Sequence, residues 1–173
     1  ELQVGDGLNA APDIGPLINR DGWDKVRAHV NDALAEGATR LVGSDPPRPA
    51  NEWGAFYPPT VFVNIKPSMR VCREETFGPV VAISQFDDET EVLTAANSTE
   101  YGLASYVFTT DDALAERVAA GLRFGHVGIN SGTGPTPEAP FGGMKHSGYG
   151  REGGVEGLLE YCEPQVVVRG LPP

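Results

Sequence analysis

Within residues 21–36 the apolar side chains Trp23, Val26, Val30, Ala33 and Leu34 return every three or four positions, with polar residues between them. That spacing predicts an amphipathic helix, and Gly37 supplies its stop, because glycine enters the left-handed backbone region at no steric cost. Ahead of it, residues 1–19 are polar and broken by Gly5, Gly7, Pro12, Gly15 and Pro16, the pattern of an entry loop. A short apolar run at Leu41-Val42 precedes Ser44-Asp45-Pro46-Pro47-Arg48-Pro49, where proline density rules out helix and central strand and predicts an exposed loop. Residues 60–63 and 80–86 are rich in β-branched and aromatic side chains and read as strands, the second bounded by Gly78-Pro79 and Asp87-Asp88. Asp87 or Asp88 can cap a helix running to about Asn97. A strand over 104–108, a helix capped by Thr110 and carrying Leu114, Val118 and Leu122, and a strand over 127–130 follow. Gln165-Val166-Val167-Val168 is a last short apolar strand. Strands alternating with helices of this length imply crossover connections, hence an α/β fold with a largely parallel sheet.

At 173 residues the chain has the length of one domain with one core, and no linker composition divides it. Its 22 Gly and 15 Pro add many fixed turns to an otherwise ordinary globular composition. A formal charge of -11 with no basic stripe argues against nucleic acid and anionic membranes as partners. Cys72 and Cys162 are too few for a disulfide framework and read as packed thiols. With no leader or long apolar run, a reducing cytoplasm is the expected compartment. His29, His126 and His146 are scattered and share no metal-ligand spacing with either cysteine, so no metal site is expected.

Gly148, Gly150 and Gly153 satisfy G-x-G-x-x-G, but the dinucleotide fingerprint also needs a buried strand before it and an acidic residue on a second strand about twenty residues later. The chain here offers neither. The segment Glu74-Glu75-Thr76-Phe77-Gly78-Pro79-Val80 carries a better reading. The Glu75 carboxylate can accept from two vicinal ribose hydroxyls, the Phe77 ring can cover a planar base, and Gly78 removes a side chain where ligand and backbone approach. A salt bridge at a strand edge is the alternative for Glu75.

That segment resembles the aldehyde dehydrogenase superfamily when taken with Asn97-Ser98-Thr99-Glu100-Tyr101-Gly102-Leu103-Ala104, Asn130, Pro140-Phe141-Gly142-Gly143, Lys145, Ser147-Gly148 and Gly150-Arg151-Glu152. The likeness in order and spacing spans nearly the whole chain and implies most of a catalytic domain at 1–160 and an oligomerisation segment at 161–173. It implies NAD or NADP as cofactor and a small-molecule aldehyde as substrate. Glu75 would bind the ribose beside the nicotinamide, Phe77 would contact the nicotinamide, and Phe141 would line the aldehyde channel, a core aromatic being its plainer reading. Glu152 would serve a proton relay, with an ion pair to Arg151 or another basic residue as the alternative. The nucleophilic cysteine, general base, oxyanion amide and dinucleotide-binding domain would lie upstream of Glu1, so the chain alone is expected to be inactive and to expose apolar surface. The strand at 165–168 would extend a neighbouring subunit's sheet in a homo-oligomer; an ordinary edge strand, or a non-catalytic assembly subunit, is the competing reading.

The loop Ser131-Gly132-Thr133-Gly134-Pro135-Thr136-Pro137 is small and hydroxylated, favouring a polar aldehyde. With Gly150–Gly154 and Leu158–Tyr161 it is similar to succinate-semialdehyde dehydrogenases. Pro135 departs from that likeness, standing where such enzymes often carry a serine for the substrate carboxylate; Thr136 is the nearest substitute.

Overall fold

Asn19 starts helix α1 (Arg20–Ala35) by accepting from the Gly22 N–H at 2.9 Å through Oδ1. The helix ends as its sequence asks: Gly37 takes φ 96°, and Ala38 N–H bonds back to Ala33 O at 2.9 Å. The computed structural model describes residues 2–8, 11–49 and 54–172; Glu1, Asn9 and Ala10 of the expected entry loop lie outside them. In order, α1 is followed by β1 (Thr39–Val42), β2 (Thr60–Val63), α2 (Arg70–Arg73), β3 (Val80–Ala82), α3 (Glu89–Asn97), β4 (Tyr101–Gly102), β5 (Ala104–Val107), α4 (Asp112–Gly121), β6 (His126–Ile129), β7 (Met144–Lys145) and α5 (Gly154–Leu159).

Instead of one core the chain forms two units, Glu1–Phe86 and Asp87–Pro173. In the first, the α1 stripe of Trp23, Val26, Val30 and Ala33 is buried with Tyr57, Phe62 and Met69, and β2 lies between antiparallel β1 and parallel β3. In the second, parallel β5 and β6 carry α4, which also packs on α3, and β4 pairs antiparallel with β7. The buried residues described there are Ala115 and the glycines 102, 128, 143 and 157. Backbone thus approaches backbone where an apolar core would need side chains, which is why one core does not form.

The α/β expectation holds in both parallel pairs, each joined through a helix. Three of the expected elements differ, and α2, β4, β7 and α5 go beyond them. The strand expected over 80–86 ends at Ala82, although Ile83 N–H still reaches Phe62 O at 2.9 Å. Asp111, not Thr110, caps α4, accepting from Leu114 N–H at 3.0 Å, because a carboxylate one residue further on reaches the first turn directly. Residues 165–168 form no strand, since no neighbouring strand pairs with them.

Candidate functional site

In the first unit the segment after α2 is anchored by alternate residues. Glu74 receives both arms of the Arg70 guanidinium, Nε to Oε1 at 3.0 Å and Nη2 to Oε2 at 2.9 Å. The Arg70 fork, with a smaller contribution from His29, holds the Glu74 carboxyl down at about 2. Fully buried His29 of α1 stands beside Oε2 of Glu74 through Nε2 at 3.2 Å and beside Thr76 Oγ1 through Nδ1 at 3.0 Å. An ionised carboxylate only accepts, so Nε2 carries a hydrogen and donates to Glu74, while the Thr76 hydroxyl, which can donate or accept, satisfies Nδ1.

Alternating with these anchors, Glu75 and Phe77 are exposed. Glu75 is exposed, and among the described residues no hydrogen bond or ion pair engages its carboxylate; the salt bridge belongs to Glu74 instead. Phe77 is 77% exposed and holds φ 51°, a left-handed conformation that costs a non-glycine residue about 1–2 kcal/mol. A free carboxylate beside a bare aromatic face fits the two needs of a nucleoside: an acceptor for sugar hydroxyls and a cover for a planar ring. Gly78 has a different reason from the one expected. A Cβ there would run into Cγ2 of Val26 and meet Leu17 at 3.4 Å, so the missing side chain admits the core of this unit rather than a ligand.

In the second unit Phe141 and Glu152 form an isolated antiparallel bridge and share the wall of a hollow of about 350 Å³ with Leu103, Ser147, Arg151 and Glu160. The ion pair considered for Glu152 and Arg151 does not form. Arg151 Nη1 donates instead to the carbonyls of Gly143 at 3.0 Å and Gly150 at 2.6 Å, holding the glycine-rich turn closed. The Glu152 carboxylate is left exposed with no partner among the described residues. The Phe141 ring stands edge-on to His126, centroids 5.8 Å apart. Pro135 and Thr136 lie on the exposed 131–140 loop, outside the wall of that hollow.

Other motif residues are engaged structurally. Asn97 donates to Gly121 O and accepts from Arg123 N–H, both at 2.8 Å, tying α3 to the end of α4. Asn130 exchanges two 2.9 Å bonds with the Thr109 backbone, and Ser147 Oγ accepts from Gly102 N–H at 2.9 Å. The G-x-G-x-x-G match follows β7, a two-residue strand antiparallel to β4, so no βαβ unit surrounds it. Both cysteines are exposed rather than packed, Cys72 on the four-residue α2 and Cys162 beyond the end of α5; partial desolvation nevertheless pushes the Cys72 thiol up, away from thiolate character.

A profile of the aldehyde dehydrogenase family matches residues 1–167. The chain belongs to that family. Among curated members of the aldehyde dehydrogenases, it is 41% identical over 171 residues to an Escherichia coli succinate-semialdehyde dehydrogenase [NADP(+)], covering 99% of this chain and 35% of that protein. It is 44% identical over 164 residues to a betaine aldehyde dehydrogenase of Agrobacterium fabrum, covering 95% and 33%. A crystal structure of an oxidoreductase from Marinobacter aquaeolei superimposes with a TM-score of 0.91 at 58% identity, over 98% of this chain and 35% of that one. The chain therefore spans about a third of the length of the curated relatives it matches.

From the sequence His29 is only a scattered histidine and Thr76 only a member of the 74–80 segment, and neither carries an expected role. The one available signal was a histidine on the buried stripe of α1, at the position beside Val26, Val30 and Ala33.

Proposed function

We propose that this chain is a portion of an NAD(P)-dependent aldehyde dehydrogenase that oxidises a semialdehyde, such as succinate semialdehyde, to the carboxylic acid. The observation that carries the reading is the unpartnered Glu75 carboxylate next to the outward, left-handed Phe77. Glu75 accepts from the ribose hydroxyls and Phe77 covers the nicotinamide face. When bound, the dinucleotide supplies the hydride acceptor. Phe141 borders the path of the aldehyde, and the free Glu152 carboxylate takes or passes a proton. The Thr136 hydroxyl, which has no partner among the described residues, is a donor for a substrate carboxylate, with Pro135 stiffening the loop beside it.

The chemistry also needs a thiolate. Partial desolvation holds Cys72 toward its thiol form and Cys162 Sγ contacts the Leu158 carbonyl at 3.4 Å, which supports our reading that residues 1–173 alone are inactive. The setting we propose for the enzyme is the cytoplasm, with residues 1–160 as part of the catalytic domain.

Residues 161–173 we assign to homo-oligomer assembly. Val166, Val167 and Val168 are 86%, 81% and 87% exposed, a row of apolar side chains on unpaired backbone of the kind that joins a neighbouring sheet. The same row favours a second reading, a non-catalytic assembly subunit. The complete polypeptide carrying this sequence, assayed with succinate semialdehyde and with betaine aldehyde while reduced nicotinamide is followed, separates the readings. Turnover favouring the semialdehyde supports the first. No turnover with any aldehyde, alongside a stable oligomer, supports the second.

A further inference from the structure

We propose that His29 is a positioning residue for dinucleotide binding: from the buried face of α1 it grips Thr76 and Glu74, and thereby sets the direction of Glu75 and Phe77. The inference rests on the reading of Glu75 and Phe77 given above and adds to it the group that holds them.

Three observations combine. The imidazole has no exposure and both ring nitrogens are engaged, Nε2 with Glu74 at 3.2 Å and Nδ1 with Thr76 at 3.0 Å. These partners alternate with the two outward residues, so fixing them fixes the side-chain directions of Glu75 and Phe77. Phe77 also keeps φ 51°, a backbone state that persists only where its surroundings enforce it. The two enforcing contacts flank it directly: Thr76 bonded to His29, and Gly78 packed without a side chain against Val26, three residues earlier on the same helix. The helix thus acts as a rigid rail beneath the loop, and His29 is its polar attachment point. A fully buried imidazole must satisfy both ring nitrogens wherever it sits; here both find their partners on the one segment that we assign to the cofactor, so the placement of the ring and of that segment are tied together.

The test uses Thr76→Val in the complete polypeptide, because it deletes the hydroxyl while keeping the shape and leaves the buried ring in place. Dinucleotide affinity is read by titration calorimetry without aldehyde, and fold stability by thermal denaturation. Loss of the hydrogen bond, which leaves the buried Nδ1 without its partner, is expected to weaken dinucleotide binding about threefold to tenfold and to lower Tm by several degrees while the protein stays folded at the titration temperature, and Thr76→Ser should restore both. The His29→Asn, Thr76→Val double variant should lose no more affinity than the larger of the two single losses, and fully additive losses overturn the proposal. Unchanged affinity in Thr76→Val, or equal loss in Thr76→Ser, overturns the positioning role while leaving the dehydrogenase reading intact. A complete polypeptide that binds neither NAD nor NADP overturns both.

Discussion

Phe141 and Glu152 each donate a backbone N–H to the other's carbonyl, at 2.7 and 2.8 Å. The pairing sets both side chains beside one hollow and uses no side-chain atom of Glu152, so its carboxylate is available for proton transfer.

Glu152→Gln tests that availability. The backbone bridge survives the change, so unfolding free energy should stay within about 0.5 kcal/mol, while kcat of the complete polypeptide should fall by about tenfold or more if the carboxylate carries a proton. Stopped-flow or steady-state turnover set beside a denaturation curve reads both quantities. A parallel loss of stability and turnover would return Glu152 to a structural role.

At Glu75, replacement by Gln keeps size and removes charge. Losing charge-assisted bonds to the ribose should raise the dinucleotide KM about tenfold or more, with the aldehyde KM far less affected. Initial-rate kinetics with each substrate varied in turn make the comparison.

Gly78→Ala should destabilise the fold by about 1–3 kcal/mol through the clash with Val26. Val26→Ala, itself destabilising in the core, makes room for the new methyl, so Gly78→Ala should cost less in that background than alone, a coupling measurable by a urea double-mutant cycle. Additive losses would mean the loop moves aside freely.

Glu74 predicts an acid-side weakness. Arg70, and less strongly His29, holds its carboxyl at about 2 against an ordinary 4.5, so the folded state binds its proton less readily than the unfolded state. The resulting stabilisation is complete above about 4.5 and disappears as pH falls through about 2. Urea unfolding across that window should show stability declining on acidification, with a shallower decline in Glu74→Gln.

Val167→Lys places a charge in the middle of the exposed valine row. Assembly of the complete polypeptide should be lost or weakened, as read by light scattering after size exclusion, with no matching change in the secondary-structure spectrum. An unaltered oligomer would rule out residues 165–168 as its contact.

The α1 helix, the strand at 60–63, the strands read over 104–108 and 127–130 and found at 104–107 and 126–129, the stop at Gly37 and a cap at Asp87 or Asp88, which falls on Asp88, were legible because each depends on local periodicity and on residues with particular backbone freedom. The family motifs were legible for the same reason, as short ordered strings. Partners distant in sequence were not. Nothing local distinguishes Glu74 from Glu75, yet one is locked between Arg70 and His29 and the other is left open, because α1, 45 residues earlier, lies beneath only one of them. Gly78 carries the same lesson: its sequence context suited a ligand's approach, and only the packing of Val26 revealed what occupies the space. The order of residues determined the elements and the family; the three-dimensional contacts decided which polar groups are satisfied and which remain free to bind, since satisfaction depends on distances that chain spacing does not encode.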